Sequence, residues 1–149
     1  MGKSKKYILS KIDIRLDHVH GFQNPQNMIY INEITLIDYL NQNTDSDSFN
    51  LLVPPIGLYD ASDQQKVFEL LDYTNIVIPI LVCSDDMDFS CTVVSTSVVE
   101  EKDCFVWKSF GYYMDMSKPI HVLPIAFEKY NYKKFVENFK GLIASGMIE

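Results

Sequence analysis

The chain holds little of what announces chemistry or a special environment. Lys and Arg number only 13 against 20 Asp and Glu, for a formal net charge of −7. Nucleic-acid binding draws much of its affinity from cations that neutralise phosphates, so this balance argues against it. No apolar run approaches the roughly 18 residues that a membrane helix needs. The N-terminal MGKSKKYILSKIDIRLD has bases but no apolar h-region and no small-residue cleavage site, so no signal peptide is expected. Gly2 with Lys6, where Ser or Thr is wanted, also misses the myristoylation pattern. Six glycines stand singly, without a phosphate-binding loop, a dinucleotide fingerprint or G-x-S-x-G. Three cysteines, an odd number, include no C-x-x-C pair, and reduced thiols in a cytoplasm are expected.

What is present suits one ordinary globular domain. The 149 residues are 47% apolar and 22% charged, enough to bury a continuous core. Nine Tyr and nine Phe supply bulk for packing a sheet against helices. Residues Tyr7 to Leu16 alternate between β-branched and charged positions, which predicts a half-buried strand. A turn through His18, Gly21, Asn24 and Pro25 then leads into a second strand, Met28 to Ile34, antiparallel to the first. Thr35 is placed to cap a short helix over LIDYLNQN, followed by a polar loop at residues 44–48. Pro54 and Pro55 predict an extended crossing segment rather than sheet. Ser62 with Gln65 reads as a capping box for a helix reaching about Tyr73.

The organising stretch is Ile76 to Phe110, which contains all three cysteines, the single Trp and the densest acidic cluster. Ile76 to Val82 is nearly continuous in apolar residues, as in a strand covered on both faces, with Pro79 marking an edge, a bulge or a local break. Thr92 to Val99 and Cys104 to Phe110 follow as strands. Strict alternation places Phe105, Trp107 and Ser109 on one face and Val106, Lys108 and Phe110 on the other. After an aromatic loop from Gly111 to Pro119, Ile120 to Phe127 predicts a last strand. Asn131 is placed to cap a helix with Tyr132, Phe135, Val136, Phe139, Leu142 and Ile143 on one stripe, ending near Gly146. The fold class is α+β over residues 1–149: a mainly antiparallel sheet of about five to six strands against two to three helices, the longest C-terminal.

The chemical candidates lie in the organising stretch. Asp85, Asp86 and Asp88 form an acidic loop between two strands, suited to a basic partner or to a divalent cation. A helix–loop–helix calcium site needs Gly at the sixth position and an acid at the twelfth. Counted from Asp86, those positions hold Cys91 and Ser97. Cys83 and Cys91 flank the loop, yet structural zinc wants about four soft or imidazole ligands in close pairs, and the three His are scattered. His18 and His20 share a face of an extended segment without a third ligand nearby. Cys104 and His121 carry no surrounding motif of nucleophilic catalysis. The residues therefore predict no catalytic group, no metal and no cofactor. The alternative is a small thiol- or metal-dependent domain around Cys83, Cys91 and His121.

PILVCSDDMDFSC, followed by a hairpin and CFVWKSFG, resembles a family of small bacterial proteins of uncharacterised function. In that family an apolar strand leads to a Cys-rich turn, a further strand, a V-x-W-x-x-F strand and a C-terminal helix. The matching residues are Pro79 to Cys83, Cys91, Val106 to Phe110, Phe127 and Tyr132. INEITLIDYL resembles the family's I-N-G-x-x-L-x-x-L junction between strand and helix. The family's turn reads C-x-C-G-x-x-G-C; here Asp85 and Asp86 stand where Cys and Gly would, and the turn is one residue longer. Such proteins are similar in size and charge to immunity proteins of bacterial toxin systems. The resemblance and the charge together imply a non-enzymatic cytoplasmic protein whose acidic surface, Asp85, Asp86 and Asp88, meets a basic protein such as a toxin. A homodimer through an exposed Phe110 to Met116 loop is a further possibility. Neither nucleic acid nor membrane is expected as a partner.

Overall fold

The computed structural model describes residues 7–147, and the MGKSKK segment read above lies outside the described residues. The fold is α+β, with one large sheet, one small sheet and helices that close the core between and over them. The N-terminal alternation is divided. Leu9–Ser10 (β1) pairs in parallel with Ile125–Glu128 (β10), whereas Ile12–Asp17 (β2) turns away into an antiparallel hairpin with Gln26–Ile31 (β3). Asn32 and Glu33, both at positive φ, turn the chain into Ile34–Thr35 (β4), completing a three-stranded sheet. Thr35 caps Leu36–Thr44 (α1) as its spacing predicts, its hydroxyl accepting from the Asp38 amide at 3.2 Å.

The large sheet runs in the order β1, β10, Cys104–Tyr112 (β8), Val93–Glu100 (β7), Ile76–Cys83 (β6) and Leu52–Val53 (β5), with Lys118–Ile120 (β9) also on β8. Leu52–Val53 (β5) pairs with Ile76–Cys83 (β6), which corrects the expectation that this segment lies outside the sheet. Pairing stops where Pro54 and Pro55 begin, because neither can donate a ladder hydrogen bond. Between Pro79 and Leu81 the register of β6 against Val93–Glu100 (β7) shifts, the bulge that Pro79 foretells. Cys104–Tyr112 (β8) runs antiparallel to β7, with a second register shift between Ser97 and Val98. Val98 faces Trp107 and Ser97 faces Ser109, so Lys108 is the extra residue. This bulge reverses the alternation beyond Trp107: Phe110, not Ser109, joins Trp107 in the core, at 2% exposure. Phe110 therefore does not belong to an exposed loop. Its neighbours Phe110–Tyr112 pair with Lys118–Ile120 (β9), and the nearer half of β8 pairs with β10 along the same edge. The expected single strand Ile120 to Phe127 is thus two strands separated around Pro124.

Trp107, with no exposed surface, is the hub of the core. Phe110, Phe127, Tyr132 and Phe135 meet its ring edge-to-face, with centroids 5.3 to 6.5 Å away. Its indole N–H donates to the Tyr132 hydroxyl at 3.1 Å, which satisfies a buried polar atom. Tyr132, Phe135, Phe139 and Ile143 are the buried stripe of Lys129–Met147 (α3), as the periodicity predicts. Two details of α3 differ. Glu128, not Asn131, accepts from the first helical amides, those of Tyr130 and Asn131. Asn131 instead clamps the β1–β2 bend, accepting from the Ile12 amide at 2.9 Å and donating to the Ile12 carbonyl at 3.1 Å. The helix runs one residue past Gly146, to Met147, the last described residue. Cys104 lies on the opposite sheet face, buried with Val106 and Ala126. It acts as a small apolar residue, and burial pushes its thiol up from the ordinary value.

Candidate functional site

Two chain segments build the candidate site, and one hydrogen bond joins them. The first is the β6–β7 loop with Asp85, Asp86 and Asp88. The second is Gly57 to Asp63, which leads into Ala61–Leu70 (α2). The Tyr59 amide donates to the Met87 carbonyl at 2.9 Å, holding the start of α2 beside the acidic loop. Here the structure corrects the expected capping box. Asp60, not Ser62, is the N-cap, and α2 begins at Ala61. Its Oδ1 accepts from both the Ser62 amide at 2.8 Å and the Ser62 hydroxyl at 2.6 Å.

The same device recurs across the junction. Asp88 Oδ1 accepts from the Ser90 amide at 2.9 Å and the Ser90 hydroxyl at 2.6 Å. Two Asp-x-Ser turns thus face each other from different segments, and in each the serine holds the carboxyl below its ordinary value. Both carboxylates are ionised at neutral pH, and each keeps a second oxygen free of these turn bonds. Together with Asp63, Tyr59, Phe89 and Ser90 they line an open recess of about 450 Å³. Tyr59 stands 89% exposed at its edge. Three carboxylates beside two aromatic rings suit the head and stem of a Lys or Arg, through charge pairing and cation–π contact.

Of the expected acidic trio, Asp88 therefore belongs to this recess, while Asp85 and Asp86 are exposed on the loop outside it. Asp60, Asp63 and Tyr59 were not singled out by sequence reading. Asp-x-Ser spacing recurs at residues 60–62, 88–90 and 115–117, so it signals the local turns but not the site, and the Tyr59–Met87 bond is what holds the first two copies side by side.

The thiols are arranged differently from the alternative expectation. Cys83 ends β6 and Cys91 precedes β7, and the Cys83 amide donates to the Thr92 carbonyl at 3.2 Å. The loop folds back on itself through the Met87 amide, which donates to the Cys83 carbonyl at 3.0 Å, with Met87 at positive φ. That turn returns Asp86 to the cysteines: the ligand atoms of Cys83, Asp86 and Cys91 all lie within 4.8 Å of one another. His121 is absent from this group and lines a separate recess with Asn43, Val122 and Leu123. His18 and His20 line another with Asp17, Asp38 and Tyr30, and are in no such group among the described residues. The Cys91 thiol is raised, first by its hydrogen bond to Cys83 and further by Asp86, the reverse of the shift that activates a nucleophilic thiolate.

Among the described residues no helix is long and apolar enough to cross a membrane. Comparison with protein families, curated proteins and solved structures finds no match to this chain.

Proposed function

We propose that this protein is a non-enzymatic binding module of bacterial immunity type, which works in the cytoplasm by occupying a basic protein, such as a toxin. The observation that carries this reading is the recess between the two Asp-x-Ser turns, where Asp60, Asp63 and Asp88 are gathered beside Tyr59 and Phe89. The exposed Asp85 and Asp86 extend the acidic field past its rim, and the net charge of −7 has the same sign. Such a field steers a basic partner to the face, while the aromatic rings supply contact area once it arrives. The cytoplasmic setting agrees with three unpaired thiols.

Affinity capture from the source organism, with the full chain as bait at low ionic strength, tests the proposal. It predicts retention of a basic protein that dissociates as salt rises, because exposed charge pairs are screened. Failure to retain any protein in low salt, or retention that is indifferent to salt, would overturn it.

A further inference from the structure

We propose that Cys83, Asp86 and Cys91 form a three-ligand site for a zinc-class divalent cation, with water in the fourth position. The argument begins with chemistry. Two sulfurs and one carboxylate oxygen are a borderline-soft donor set that favours zinc over magnesium or calcium, which take oxygen ligands almost throughout. Spacing agrees. Cys83 and Asp86 are separated by two residues around a tight turn, within the two-to-four-residue gap usual for paired zinc ligands. The end of the loop, just before β7, then supplies Cys91.

Geometry asks for little movement. Zinc–sulfur bonds of about 2.3 Å at a tetrahedral angle put two sulfurs about 3.8 Å apart. The three donor atoms already fall within 4.8 Å of one another, so closing the gap to that spacing takes a shift of about 1 Å at most. The frame is stiff where it matters. Cys83 is held through its amide by Thr92, through its carbonyl by Met87, and by pairing with Leu52. The Thr92 hydroxyl lies 3.8 Å from the Cys91 sulfur, in place to support it as a ligand. Asp86 is exposed and both cysteines are half-buried, so a cation enters from solvent and retains a water. On binding, each thiol releases its proton to solvent and coordinates as thiolate, with no redox step. The site lies outside the recess at Asp60, Asp63 and Asp88, sharing only Asp86 with the acidic field around it, and cation binding is read without a partner.

Cobalt(II) titration of the reduced, full-length protein under anaerobic conditions reads the site directly, with zinc as competitor. The expected result is one equivalent of cobalt bound, with thiolate-to-cobalt charge transfer in the near ultraviolet, the intense visible bands of four-coordinate cobalt, and loss of both on adding zinc. Cys83→Ser and Cys91→Ser should each weaken binding beyond the ~10–100-fold typical of losing a supporting residue. Asp86→Asn, on an exposed side chain that folding does not need, should weaken it by about tenfold or more. Cys104→Ser should leave it unchanged. Absence of the charge-transfer band, its survival in both cysteine variants, or pairing of the two thiols as a disulfide without cation uptake would each overturn the proposal.

Discussion

At the scale of single residues, the buried polar contact between Trp107 and Tyr132 and the carboxylates of exposed Asp60 and half-buried Asp88 make opposite demands. Tyr132 is fully enclosed, and burial raises its phenol above the ordinary value, so it stays a neutral hydroxyl able to accept from the indole. Tyr132→Phe leaves the Trp107 N–H unsatisfied in the core, and urea denaturation followed by Trp fluorescence should show a loss of about 1–3 kcal/mol. No loss would mean that the bond contributes nothing. For Asp60 and Asp88 the folded carboxyls titrate below the ordinary value of 3.8. Their stabilising contribution is therefore complete above pH 3.8 and disappears as pH falls through their lower folded values. Asn keeps the capping geometry without the titration. Between neutral pH and acid, the Asp60→Asn/Asp88→Asn variant should thus lose less stability than the parent; an equal loss would contradict the turn-based account. Neither Asp-x-Ser turn was beyond reach of the sequence, since both are local. Their meeting was out of reach, because it depends on a backbone bond between Tyr59 and Met87, which no side-chain pattern encodes.

At the scale of elements, local patterns were legible wherever one face is buried and the period is unbroken. The stripe of α3, the cap at Thr35 and the bulge at Pro79 all follow from side-chain spacing or from a missing N–H. The pattern failed at Lys108, where an inserted residue reverses alternation while leaving composition untouched. It failed again at Asn131, whose side chain satisfies the backbone of Ile12 more than a hundred residues away in sequence instead of its own helix. The β3–β4 turn is legible in a further sense. Asn32 and Glu33 have φ of 49° and 75°, the left-handed pair that a two-residue hairpin turn requires. Glu is disfavoured there, whereas Gly adopts positive φ without a Cβ penalty. Glu33→Gly should raise the thermal midpoint by about 2 °C, measured by differential scanning calorimetry, despite loss of the exposed Arg15–Glu33 ion pair. A lower midpoint would show that the ion pair outweighs the backbone strain.

At the scale of the whole molecule, the large sheet and α3 enclose an aromatic core around Trp107, and the loops at one end of β6 and β7 are left free to carry charge. The α+β class was legible because hydrophobic period and turn residues mark strands and helices independently of their order in the sheet. The splitting of the N-terminal strand between two sheets was not, since β1 and β2 share one continuous alternation and the bend between them is held by partners remote in sequence, Asn32 at Lys11 and Asn131 at Ile12. The acidic loop was legible as a patch but not as a recess, because Asp60 and Asp63 reach it from a different element. In the proposed function this composite face, rather than net charge alone, recognises a basic protein. Isothermal titration calorimetry of the captured partner against the parent and the Asp60→Asn/Asp63→Asn/Asp88→Asn variant tests it most directly. The expected result is a loss of affinity of at least about 100-fold, or about 2.7 kcal/mol, with the fold intact by circular dichroism. Equal affinity for parent and variant would contradict it.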